Sequence, residues 1–180
     1  MVELRVRASR ASRYLAAVLG IAACQPGPAS VEAPTPLVPS GRLVRFELPR
    51  ADGGMLQSDE LLGRATLVVV AATYDTASQA AVSIAGAVVR RHKPRANGLL
   101  VVLEPEQNRP LVQAFVGAMD LPFPTALADA DTLAAEGVFD GLRHVPSFVI
   151  LDREGRECWR RVGLVKAEVL EDALREVPGE

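Results

Sequence analysis

Two cysteines, two histidines and one carboxylate at the head of a helix-spaced segment carry most of the chemistry this chain could do. Cys24 and Cys158 permit one disulfide at most, which excludes a disulfide-built scaffold. A thiol attacks only as its thiolate, and it needs a helix N-terminus or a nearby cation to reach that state at neutral pH. Cys158 lies beside Trp159, far in sequence from the helix N-terminus that would activate it, and reads as a structural cysteine, with a reactive thiol as the alternative. Asp75 and Ser78 bracket the start of a helical segment. An aspartate there accepts bonds from the unpaired N–H groups of the first turn and sits favourably in the helix dipole field. The other reading of Asp75 is a metal or catalytic carboxylate working with His144, although one Asp and one His make a poor ligand set. His92 reads more simply as a cation at a helix C-terminus. No metal and no cofactor is expected.

The elements that must position these residues follow from periodicity. Thr66 to Ala72 is a continuous apolar, β-branched run without alternation, so both its faces should be covered, as in the centre of a sheet flanked by helices. Thr76 to His92 places Ala77, Ala80, Ala81, Ile84, Val88 and Val89 at helical spacing, and Pro94 stops it. Gly98 to Leu103 is a second buried strand. Asn108 with Pro110 marks an N-cap and a helix whose face continues through Leu111, Phe115 and Met119. Asp131 to Val138 is a short helix closing at Gly137. Ser147 to Asp152 and Glu157 to Val162 are strands joined by a hairpin turn, and Lys166 to Val177 is a last helix. Leu43 to Leu48 is a short strand, and Ser58 to Leu62 a helical turn before Gly63. The order implies an α/β fold with early parallel pairing and a closing antiparallel hairpin. Trp159, Arg160 and Arg161 are expected on an edge-strand surface.

The first residues look like a processing segment. Arg5, Arg7, Arg10 and Arg13 precede an apolar run from Tyr14 to Ala23 that is too short to span a bilayer as a helix but has the length of a signal core. Ile21-Ala22-Ala23-Cys24 resembles a lipobox, which implies cleavage before Cys24 and lipidation of its sulfur. Residues 24–41 carry Pro26, Pro28, Pro34, Pro36 and Pro39, a composition that makes a semi-extended tether. Gln25 after the cysteine favours the outer membrane by resemblance to enterobacterial sorting. Removing the basic first stretch leaves a distinctly acidic chain, and that disfavours nucleic acid as a partner. Apolar content is 49% but aromatic content only 4%, so the core must be built of Val, Leu and Ala.

Two segments resemble the TlpA/ResA (redoxin, AhpC/TSA-like) thioredoxins. The first runs from Gly63 through the apolar strand to Ala72-Thr73-Tyr74-Asp75-Thr76-Ala77-Ser78, where relatives carry Ala-Thr-Trp-Cys-x-x-Cys. The second is Leu121-Pro122-Phe123-Pro124, followed by Asp129 to Val138 and then Arg143-His144-Val145-Pro146-Ser147-Phe148, with Asp152 to Gly155 closing it. The resemblance covers about residues 43–177. It implies a thioredoxin-like fold over residues 42–180, with a central mixed sheet of four to five strands, a signal peptide over 1–23 and a tether over 24–41. It implies that Val145-Pro146 is the cis-proline element, and that Asp75 and Ser78 stand where the family has its two cysteines.

That replacement decides the expected function. Neither Asp75 nor Ser78 can attack or resolve a disulfide, and the strand from Leu67 to Ala72 offers no buried carboxylate to shuttle a proton. The expectation is therefore a membrane-anchored, exported, non-catalytic module. It would bind an exported protein or peptide through Tyr74, Asp75, Val145 and Pro146, and the membrane through lipidated Cys24. Strand addition at such an edge needs no cysteine. The alternative is a TlpA-type disulfide reductase using Cys158 or a partner's thiol. Peroxiredoxin and SCO-type copper chemistry both require cysteine where this chain has Asp75.

Overall fold

The computed structural model describes residues 41–139, 142 and 144–177. The signal segment, Cys24 and the tether up to residue 40 lie outside the described residues. Among the described residues, no helix is long and apolar enough to cross a membrane.

A short antiparallel pair, β1 (Glu47–Pro49) and β2 (Met55–Gln57), precedes a 3-10 turn at Ser58–Leu61. Then come β3 (Ala65–Ala71), α1 (Thr76–His92), β4 (Ala96–Val102), α2 (Arg109–Met119), β5 (Thr125–Leu127), α3 (Ala130–Leu133), β6 (Ser147–Leu151), β7 (Glu157–Val162) and α4 (Ala167–Glu176). The main sheet has five strands in the order β5-β4-β3-β6-β7. Strand β3 runs parallel to β4 and antiparallel to β6. The expected mixed α/β sheet flanked by helices is what forms.

The unbroken apolar run in β3 is explained by its two covered faces. Leu67, Val69 and Ala71 pack with α1, α2 and α4, through residues such as Val82, Val88, Val112 and Leu170. Val68 and Val70 face the opposite way, onto Leu48, Leu56, Phe139 and Leu142. Gly98 in β4 is required by close approach, since a Cβ there would lie 2.3 Å from the Phe123 ring.

Several sequence expectations shift. The buried face of α1 is Ser78, Ala81, Val82, Ala85, Val88 and Val89, whereas Ala77, Ala80 and Ile84 are only half-buried. In α2 the buried residue is Val112, and Leu111 is exposed. The helix expected from Asp131 is a single turn begun by Asp129, whose side chain accepts from the Thr132 N–H. The strand expected from Leu43 starts at Glu47, with Leu43 making an isolated bridge to Arg156. Arg160 is not on the surface: it is buried and paired with Glu157 at 2.6 Å, while Trp159 is half-buried against the core.

Candidate functional site

The end of β3 and the start of α1 define the site. Strand β3 stops at Ala71, and Asp75 caps α1 in an extended conformation. Its Oδ2 accepts the Ser78 N–H at 2.7 Å, and its carbonyl accepts the Gln79 N–H at 3.0 Å. Hydrogen bonds from Ser78, side chain first and then backbone, together with the Ala77 N–H, hold the Asp75 carboxyl below the usual carboxylate range. A helix N-terminus draws anions through its orphan N–H groups. Here the chain supplies its own anion, so the donors that would stabilise a thiolate are already engaged.

Ser78 faces inward and is fully buried. Its Oγ accepts the Ala72 N–H at 3.2 Å, which ties the first turn of α1 back to the end of β3. Gln79 Nε2 donates to the Thr73 carbonyl at 3.1 Å and closes the same loop from the other side. Tyr74, at the tip, is 80% exposed.

Behind the loop lies a residue that the sequence reading missed. Glu104, just past β4, is only 5% exposed. Thr73 Oγ1 donates to its Oε1 at 2.6 Å, and Asn108 Nδ2 donates to its Oε2 at 2.8 Å. The site therefore does have a buried carboxyl group, delivered by the neighbouring strand rather than by β3. The amide of Asn108 is spent on Glu104, and α2 starts without the side-chain cap expected of it. A Glu followed by Pro105 after a buried strand gave no reason to expect burial, because the partner hydroxyl is 31 residues away.

The register brings the second half of the site to the same end of the sheet. Val70 lies opposite Ser147 across β3 and β6, so Pro146 and Val145 leave the sheet where Ala72 to Asp75 leave it. The Val145–Pro146 bond is cis. Pro146 is buried and its carbonyl accepts the Gly163 N–H at 2.8 Å. Val145 is half-buried, and its backbone N–H and C=O make no hydrogen bond among the described residues. His144 is exposed, and its carbonyl accepts from Ser147 Oγ at 2.5 Å. Among the described residues, no three or more of His, Cys, Asp and Glu gather to hold a metal.

Cys158 is not brought to this site. It occupies the irregularity where β7 slips against β6, and its Sγ donates to the Ile150 carbonyl at 3.4 Å. Ile150 pairs with Leu67 near the start of β3, so roughly 13 Å of strand, at about 3.3 Å per residue, separates the thiol from the end of β3. Burial, with the nearby Asp152 and Glu157 charges adding to it, pushes the Cys158 thiol up to about 11.

Comparison with solved structures decides what this arrangement is built on. A thioredoxin-family thiol:disulfide interchange protein of Chlorobium tepidum superimposes with a TM-score of 0.62 at 21% identity, over 82% of this chain and 98% of that one. The fold is thioredoxin-like. A secreted thiol-disulfide isomerase of Corynebacterium glutamicum matches with a TM-score of 0.64 at 13% identity, over 75% of this chain and 86% of that one. The exposed lipoprotein thioredoxin Etrx1 of Streptococcus pneumoniae matches with a TM-score of 0.62 at 17% identity, over 73% of this chain and 98% of that one. No protein-family model matches the chain. No curated protein matches it either. The thioredoxin-like fold is thus present, and its helix N-terminus carries Asp75-Thr76-Ala77-Ser78.

Proposed function

We propose that this chain is an exported, lipid-anchored thioredoxin-like module that binds an extended segment of another exported protein and performs no redox chemistry. The observation that carries the reading is the pairing of a helix N-terminus filled by its own Asp75 carboxylate with a Val145 backbone left open beside it. A carboxylate cannot exchange with a disulfide, and an open N–H and C=O at a sheet end suit a partner strand. Tyr74, projecting from the same end, adds an exposed aromatic surface for such a partner.

The reductase alternative loses support from Cys158, whose half-buried thiol is pushed in the direction opposite to activation. Export is supported by the basic and apolar leader ending in Ile21-Ala22-Ala23-Cys24, and by the resemblance of the fold to a secreted isomerase and a surface lipoprotein. The membrane partner would be reached through Cys24, facing the periplasm, with the outer membrane favoured by Gln25.

Site-specific photo-crosslinking from position 74 of the full chain in producing cells tests the binding role. The expected result is a discrete adduct with an exported protein that is lost in Val145→Asp and kept in a control variant at the exposed Leu133. An adduct unchanged by Val145→Asp, or none at all, would overturn the reading.

A further inference from the structure

A second feature lies at the opposite end of α1. The helix has 17 residues, about 25 Å at 1.5 Å per residue, so its C-terminus is remote from the Asp75 end. There, His92, Arg95, Arg153 and Arg175 line one cleft of about 350 Å³ whose buried floor includes Ala96 and Leu174. The His92 ring and the three arginines come from three segments of the fold. His92 ends α1, and Arg95 sits in the turn to β4, with its N–H donating to the His92 carbonyl at 2.7 Å. Arg153 is in the β6–β7 turn, pinned through its carbonyl by the Gly63 N–H at 2.9 Å, and Arg175 is in the last turn of α4.

One of the three arginines, Arg175, is paired within the chain, and the ion pairs nearby leave Arg95 and Arg153 uncovered. Asp172 is bonded to Arg175, and Glu171 is held by Arg91. One oxygen of Asp152 is engaged by the Glu154 and Arg156 N–H groups. Arg95 and Arg153 make no ion pair among the described residues. Arg64 and Lys93, which line the adjoining cleft, make none either and add to the field. Among the described residues, Arg64, Lys93, Arg95 and Arg153 thus bring four cations without an ion pair to two adjoining clefts.

Arginines at close quarters repel one another unless an anion joins them. A carboxylate saturates with a single guanidinium fork, whereas a phosphate presents several terminal oxygens to several forks. We propose that this cleft binds a phosphate group, carried either by a small soluble phosphate ester or by the headgroup of an anionic lipid. The backbone hydrogen bonds of Arg95 and Arg153 fix the two chain positions from which these side chains line the cleft.

The test titrates the purified full chain with inorganic phosphate and with glycerol phosphate in low-chloride buffer, and separately floats it with phosphatidylglycerol and phosphatidylcholine vesicles. The comparison is Arg95→Ser/Arg153→Ser, which carries the same N-terminus, so any difference from the parent reports the cleft. Thermal unfolding without phosphate should be the same for both, since both side chains are exposed. Binding of soluble phosphate weakened at least tenfold in the double variant supports a free ligand. No soluble binding, but excess recovery on phosphatidylglycerol that the double variant loses, supports a headgroup. The charge-keeping Arg95→Lys/Arg153→Lys chain should fall between the two, because it keeps the field and loses the forks. Absence of binding in both formats, or binding equal in parent and double variant, overturns the proposal.

Discussion

Removing one hydroxyl, in Thr73→Val, should loosen the turn between β3 and α1 by a measurable amount. Thr73 Oγ1 and Glu104 Oε1 are 2.6 Å apart, and both residues are buried. Valine keeps the volume and leaves one carboxyl oxygen of Glu104 without its donor. An acceptor stranded in this way costs about 1–3 kcal/mol. For a domain of this size that lowers the melting temperature by about 4–12 °C, at roughly 4 °C per kcal/mol. The neighbouring Asn108 bond remains and limits the loss. Glu104→Met alone strands the Thr73 hydroxyl, but Thr73→Val/Glu104→Met strands neither partner. Urea unfolding of the four chains gives the coupling directly. A coupling energy of about 1 kcal/mol or more is expected, with the double variant less damaged than the sum of the singles. Additive singles, or a Thr73→Val loss under about 0.5 kcal/mol, would refute the assignment of Glu104 as the internal anchor of the site.

Three further outcomes follow from the same geometry. Asp75→Asn keeps a capping oxygen and removes the charge; because the folded carboxyl is held low, its electrostatic contribution is present above the unfolded value of about 3.9 and is lost as pH falls through the lower folded value. Urea midpoints of parent and variant should therefore differ by a constant amount near neutrality and converge in acid; a gap that widens below pH 4 contradicts this. With the Cys158 thiol pushed up to about 11, the thiolate fraction at pH 7 is about one in ten thousand. Peptide-mapped labelling should modify Cys158 only after unfolding, and rapid modification of the native chain contradicts its burial. Gly98→Ala drives a methyl into the Phe123 ring and should cost about 1–3 kcal/mol, part of which Phe123→Leu recovers; an unchanged melting temperature contradicts the close approach.

What could be seen in the sequence was whatever depended on local pattern. The apolar, β-branched run of β3 and the start and stop signals of α1 placed both elements almost to the residue. The β6–β7 hairpin was equally legible, with Asp152 accepting two N–H bonds inside its turn. Distant partners hid the rest. Glu104 looks like a solvated loop acid until Thr73 and Asn108 are folded over it. Ser78 looks like a polar surface residue, yet its hydroxyl finds the Ala72 N–H and carries it inside, which turns the buried face of α1 away from Ala77 and Ala80. Strand β5 has only three residues, too short for any period to show. The buried Arg160 depends on Glu157 three positions earlier on a slipped strand, a pairing that strict alternation would place on opposite faces.

The direct test of a thioredoxin-like fold without thioredoxin chemistry is disulfide reduction. Insulin reduction by dithiothreitol should run at the same rate with and without the purified full chain, and Cys158→Ala should change nothing. Acceleration that turns over, and that vanishes in Cys158→Ala, would contradict the account.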